Sequence, residues 1–171
     1  MSALDIKIAL DDRALADRLD RAIAAGTKLR KPMGHIAEGW MGLVKERFEQ
    51  ERDPLGVPWA KRRVEPGETD KPHKLLQLSR LLRKAIHLDF GDTFASVGVE
   101  ATAGPAKYAR IHNEGGTIRP RAKKALSFAG RIVSQVVMPK RQYIDFEQGE
   151  RAVVNDVLGD FLNGLFAGGA V

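Results

Sequence analysis

The chain contains no cysteine. That excludes structural disulfides and thiolate metal sites. Aromatic residues make up only 6% of it, so aliphatic side chains must fill most of any core. No apolar run approaches the ~20 residues that span a bilayer. The start, Met1 to Lys7, lacks the basic segment and apolar centre of a signal peptide, so the chain is expected to be soluble when made, with no membrane partner. Phosphate-cradling loops are missing too: Gly98, Gly104, Gly115 and Gly116 belong to no GxxxxGK[ST] or GxGxxG pattern. Nor is there a GxSxG nucleophile elbow. The four histidines, His35, His73, His87 and His112, do not pair at metal-ligand spacing. No cofactor, metal or catalytic residue is expected.

What remains is a chain of 171 residues, 43% hydrophobic, enough for one domain with an ordinary core. We take residues 1–171 as that domain, with an exposed loop at 53–73 and a frayed end at 167–171. The formal charge is +6, which draws a protein to phosphate, acidic protein surfaces or anionic lipid. Because the charge runs through mixed-sign segments, a solvated basic surface is the plain reading. Three local clusters stand out: Lys61, Arg62 and Arg63; Arg119, Arg121, Lys123 and Lys124; and Lys140 with Arg141. Such clusters suit DNA phosphates or the acidic rim of a neighbouring subunit. No aromatics are interleaved with them, against a stacking platform for single strands.

Hydrophobic periodicity outlines the elements. Leu4, Ile6, Ile8 and Leu10 alternate as in a half-buried strand, and Asp11-Asp12 offers a helix N-cap. Leu15, Leu19, Ile23 and Leu29 stripe a helix over 12–30. Pro32 opens a second over 32–50, with Ile36, Trp40, Leu43, Val44 and Phe48 at helical spacing. Two prolines and a glycine in 53–59 force a bent loop that ends at Trp59. Leu75, Leu78, Leu82 and Ile86 predict a helix over 75–86. Strands follow over 87–99, turning at Gly91-Asp92, and over 117–138. Between them Ala106 to Asn113 reads as a short helix ended by Gly115-Gly116. Asp145 is placed to cap a last helix over 146–166, with Gln148 as its capping-box partner and Val153, Val157, Phe161 and Leu165 as the buried stripe. The fold class expected is α+β: an antiparallel β-sheet with helices packed mainly on one face.

The stretch 108–120, Tyr-Ala-Arg-Ile-His-Asn-Glu-Gly-Gly-Thr-Ile-Arg-Pro, is the most informative in the chain. Tyr108 and His112 lie one turn apart and share a helix face. As a general base His112 needs an orienting carboxylate, and Glu114 is only a neighbour in sequence. A structural histidine bonded to backbone is the simpler account. Asn113 after His112 resembles a fragment of a histidine–asparagine nuclease motif, without the second histidine or acidic metal ligands. Trp59 is either a lid pinned onto the core or an anchor for a partner.

Three landmarks in order carry a family resemblance. They are Phe48 followed by Asp53-Pro54-Leu55-Gly56-Val57-Pro58-Trp59; the leucine-rich Leu75-Leu76-Gln77-Leu78-Ser79-Arg80-Leu81; and Val97-Gly98-Val99 followed by Tyr108 to Gly116. Together they resemble the phage virion morphogenesis family, which includes tail-completion proteins of Mu-like and related tailed phages. The likeness runs from about residue 35 to residue 145. It departs at Leu78-Ser79, where the family often has Thr-Gly, and at 138–143, which matches a terminal Pro-Arg-Pro element only loosely. It implies a virion part without catalysis, joined as a ring of six copies where tail meets head. Its implied partners are itself and neighbouring tail-tube, terminator or head–tail connector proteins, with non-specific contact to DNA in the channel. Trp59, Tyr108, His112, Arg119, Arg121, Lys123, Lys124, Lys140 and Arg141 are the candidate interaction residues. The rival reading is a basic DNA-binding accessory protein.

Overall fold

A computed structural model describes residues 13–24, 28–62, 74–120, 124–128 and 130–167. The strand expected at 4–10, the Asp11-Asp12 cap, most of the 60–73 loop, Arg121, Lys123 and the segment after Ala167 lie outside them. The elements are α1 (Arg13–Ala24), α2 (Arg30–Gln50), α3 (Leu81–Lys84), β1 (Ile86–Phe90), β2 (Ala95–Val99), α4 (Ala106–Glu114), β3 (Gly116–Ile118), β4 (Leu126–Phe128), β5 (Arg131–Val133), β6 (Val136–Met138) and α5 (Gln148–Ala167). The class is α+β, and all strand pairing is antiparallel.

Among the described residues the strands do not merge into one sheet. They form three two-stranded ribbons: β1–β2, β3–β6 and β4–β5. In β1–β2 the register sets Ile86 opposite Val99 and Leu88 opposite Val97. The alternating side chains of β2, Ala95, Val97 and Val99, are buried, as one face of a pleated ribbon laid on a helix requires. That helix is α2, which packs on both strands of the ribbon and on α5. The ribbon's turn is centred on Asp92-Thr93, one residue later than Gly91-Asp92: Phe90 pairs with Ala95, and Gly91 N–H donates to Phe94 O at 2.9 Å.

The core has two parts joined along α2. One gathers Trp40, Val44, Phe48, Trp59, Leu82, Val97, Val99, Tyr143 and Ile144. The other gathers Leu15, Ala22, Leu29, Met33, Ile36, Ala37, Val154, Leu158 and Leu162. A Cβ on Gly39 would come within 2.6 Å of Val153 Cγ1, so this glycine lets α2 and α5 cross closely. Phe146 meets the edge of Trp40 with ring centroids 5.9 Å apart.

Two helical expectations need correction. The span 75–86 holds only the four-residue α3, because Leu76 and Arg80 take positive φ of 59° and 56°. Leu78 therefore leaves the apolar stripe and faces outward. At α5 the stripe is shifted by one: Val154, Leu158 and Leu162 are buried, while Val153, Val157 and Phe161 are half-buried and Leu165 is exposed. The cap is shifted as well. Glu147 N–H donates to Glu150 Oε2 at 3.1 Å, the return half of a capping box. Asp145 instead accepts from Phe146 N–H at 2.8 Å and from the Gln142 amide.

Candidate assembly surfaces

The motif at 108–116 is used internally. Helix α4 begins after Pro105, with Ala109 N–H donating to Pro105 O at 2.9 Å. It ends at Gly115, whose φ of +73° a side chain would strain and whose added Cβ would sit 2.8 Å from Lys140 N. Tyr108 and His112 share a face as expected, with rings edge-on at 5.7 Å. Asn113 turns inward. Its Oδ1 accepts from Tyr143 N–H at 2.9 Å and Ile144 N–H at 3.0 Å, and its Nδ2 donates to Ile144 O at 3.1 Å. Tyr143 completes the latch by donating its hydroxyl to Ala109 O at 3.0 Å. Arg141 N–H donates to His112 O at 2.8 Å. The segment 141–144 is thus fastened to α4 by groups that would otherwise be buried without partners.

His112 does not conform to the expected side-chain bond to backbone. Its Nδ1 is buried and has no hydrogen-bond partner among the described residues. Burial first, and the nearby Arg141 cation second, push its pKa below the ordinary histidine value. Among the described residues no carboxylate is bonded to it, and Glu114 pairs with Arg110 at 2.9 Å. Burial raises the Tyr143 phenol well above its usual range. Among the described residues no group of three or more His, Asp or Glu could hold a metal.

Two of the residues put forward for partner contact are occupied within the chain. Trp59 is only 5% exposed. Its ring stands edge-on to Phe48 at 5.5 Å, and its Nε1 donates to Gln142 O at 3.0 Å. It is the lid of the core, not a free anchor, because a buried indole N–H needs a partner and finds one here. Arg141 is also buried and donates from Nε to Ala60 O at 2.9 Å and from Nη2 to Lys61 O at 3.4 Å. Its burial outweighs the attraction of Glu51 and lowers its pKa. A second buried pair joins α2 to α5, Arg47 with Glu150, and Arg47 also donates to Tyr143 O at 3.3 Å.

Exposed aliphatic residues are more informative. The last carbonyls of α2 need partners, and two loops supply them. Gln77 Nε2 donates to Phe48 O at 2.6 Å, Lys74 Nζ to Glu49 O at 2.9 Å, and Trp59 N–H to Glu51 O at 2.7 Å. Arg83 braces Gln77 at 3.0 Å and pairs with Glu49. Within the first loop Asp53 Oδ1 accepts from Leu55 N–H at 2.9 Å and Val57 N–H at 2.8 Å. With their backbones so fixed, Leu55 (72% exposed), Val57, Leu78 (78% exposed) and Leu81 point to solvent. Sequence reasoning missed this group: Leu78 fits a helical stripe, and only the left-handed residues on either side take it out.

The other exposed feature is an arm. In chain order β4 and β5, paired with each other, lie between β3 and β6, which pair in turn. Thr117 faces Val137, and Ser127 faces Ile132. Paired residues share a face, so each ribbon has an outer face with one hydroxyl and one aliphatic residue, Val137 being 68% and Ile132 83% exposed. Arg119, Lys124 and Lys140 are exposed on this arm or at its base; Arg119 Nε reaches Gln135 Oε1 at 3.3 Å.

A family model for phage virion morphogenesis matches residues 10–163. The chain belongs to the phage virion morphogenesis family. No curated protein and no solved structure matches it. Membership gives this virion morphogenesis protein a structural part in virion assembly. The family landmarks Phe48, Trp59, Tyr108 and Asn113 are core and latch residues, so they account for the fold. No helix of the described residues is long and apolar enough to cross a membrane.

Proposed function

We propose that this chain is a ring-forming structural subunit that completes the phage tail or neck and helps join tail to head. Copies of the chain, six to a ring, meet through heterologous contacts that close by rotation. The observation that carries this reading is the set of aliphatic side chains at the end of α2. Leu55, Val57, Leu78 and Leu81 are exposed; Asp53 Oδ1 holds the backbone of the first two, and Gln77, next to Leu78, is tied to the end of α2. Exposed apolar surface on rigid backbone is what a protein contact uses. The ring then offers its faces to tail-tube, terminator or connector proteins.

The double variant Leu55→Ser/Leu78→Ser tests this. Both side chains are exposed, so folding stability should change by less than about 0.5 kcal/mol. Mass measurement in solution and negative-stain imaging should find rings of the native chain and smaller species of the variant. A native chain that stays monomeric at tens of micromolar, or a variant that assembles as well as the native chain, would overturn the reading. In a phage lacking the native gene, supplying the variant should leave unjoined heads and tails.

A further inference from the structure

The chain carries 28 lysines and arginines against 22 aspartates and glutamates. Six of those cations fall in 116–140: Arg119, Arg121, Lys123, Lys124, Arg131 and Lys140. The same segment has no acidic residue. What remains is 22 cations against 22 anions, so the whole net charge of +6 falls in the 116–140 stretch of the sequence. The mixed-sign surface expected from the sequence is a property of the body alone.

We infer that the arm binds the phosphate backbone of duplex DNA. A segment with six cations and no acid matches a continuous polyanion, where each neutralised phosphate releases a counterion. A second copy of the chain is a poor match for this charge, because the body it would present is neutral overall. Contacts between proteins also place few lysines at their centres, whereas three of the six cations here are lysines. The shape agrees. The arm is built of two-stranded ribbons, and a two-stranded ribbon fits the major groove. Its outer faces carry Thr117 and Ser127, hydroxyls suited to phosphate oxygens, beside Val137 and Ile132, suited to the apolar edges of the sugars. Of the described exposed cations of the segment, Arg119, Lys124 and Lys140 are the ones assigned to the contact. The binding is indifferent to sequence and does not depend on ring formation.

The test is fluorescence anisotropy of a labelled duplex against the full chain over a range of salt. Affinity should fall with a log–log slope of about −3 or steeper, at roughly 0.9 per phosphate contact. The variant Arg119→Gln/Lys124→Gln/Lys140→Gln should flatten that slope by about 2 to 3 and weaken binding at least tenfold at low salt. The body variant Lys31→Gln/Lys45→Gln/Lys107→Gln makes the same change in net charge at exposed positions and should leave the slope as it was. The inference fails if the native chain does not bind duplex at low salt. It also fails if both variants lose binding alike, or if the arm binds polyglutamate and not DNA. Equal thermal midpoints for the two variants would confirm that the comparison is between folded proteins.

Discussion

Replacing Asn113 with alanine should unfold the latch without touching any exposed surface. The carboxamide makes three buried hydrogen bonds, two as acceptor from Tyr143 and Ile144 N–H and one as donor to Ile144 O. Asn113 is 3% exposed, and Tyr143 and Ile144 are fully buried. Alanine leaves two backbone donors and one acceptor without partners and with little access to water. Each such group costs about 1–3 kcal/mol. Because the three share one side chain and the segment can relax, about 3–5 kcal/mol in total is the expected loss. For a chain of this size about 1 kcal/mol shifts the thermal midpoint by about 2–4 °C. The midpoint should therefore drop by roughly 6–20 °C in calorimetry or in circular dichroism at 222 nm. The other side of the argument is functional: well below that lowered midpoint, the variant should still assemble. A midpoint within about 2 °C of the native value together with lost assembly would refute the reasoning. It would mean that the stretch acts as a contact surface and not as a fastening.

Glu150→Ala removes the partner of a buried arginine and the side chain that caps the N-terminus of α5; it should cost about 3–5 kcal/mol in urea unfolding. Arg47→Met/Glu150→Leu, which removes both charges, should be much closer to native. Gly115→Ala forces a side chain into positive φ and within 2.8 Å of Lys140 N, for a loss of about 1–3 kcal/mol by the same measurement. His112 gives a pH dependence whose sign is fixed by its lowered pKa. The unfolded chain binds the proton more readily, so stability is fully present above the unfolded value of about 6.5 and falls as pH drops below it. Thermal midpoints measured from pH 7.5 to 5 should decline less steeply in His112→Gln than in the native chain.

The readable parts of the sequence were those with local causes. Helix α2 was legible because Pro32 suits a first turn and the apolar residues from Ile36 to Phe48 repeat at helical spacing. The end of α4 was legible because Gly115 can take the positive φ that closes a helix. The α+β class followed from such pieces. Three features were not local and were not read. Leu75, Leu78 and Leu82 fit a helix by spacing, but Gln77 is claimed by the last carbonyls of α2, 29 residues earlier. The chain must turn at Leu76 and Arg80 to deliver it. The stripe of α5 was misplaced by one residue because 153–154, 157–158 and 161–162 are all apolar pairs, and periodicity cannot say which member faces α2. One continuous sheet was expected where three ribbons form, since strand propensity does not specify which edges meet.

The candidate residues divide along the same line. Trp59 stands out as a loop tryptophan, Tyr108 and His112 as neighbours on one helix face, and Arg141 as half of a basic cluster. The fold spends them on itself: an indole on Gln142 O, a ring pair on α4, a guanidinium on two loop carbonyls. A sequence motif of this kind marks the positions where burial and hydrogen bonding allow few substitutes, and such positions are inside. The surfaces left for contact are built from residues with no chemical signature, Leu55, Leu78, Ile132 and Val137, whose exposure is visible only once the backbone is placed. Under the proposed assembly role, the motif that names the family and the surfaces offered for contact are therefore different sets. Perturbing each should give separable outcomes: lost stability from the motif, lost assembly or lost DNA contact from the surface.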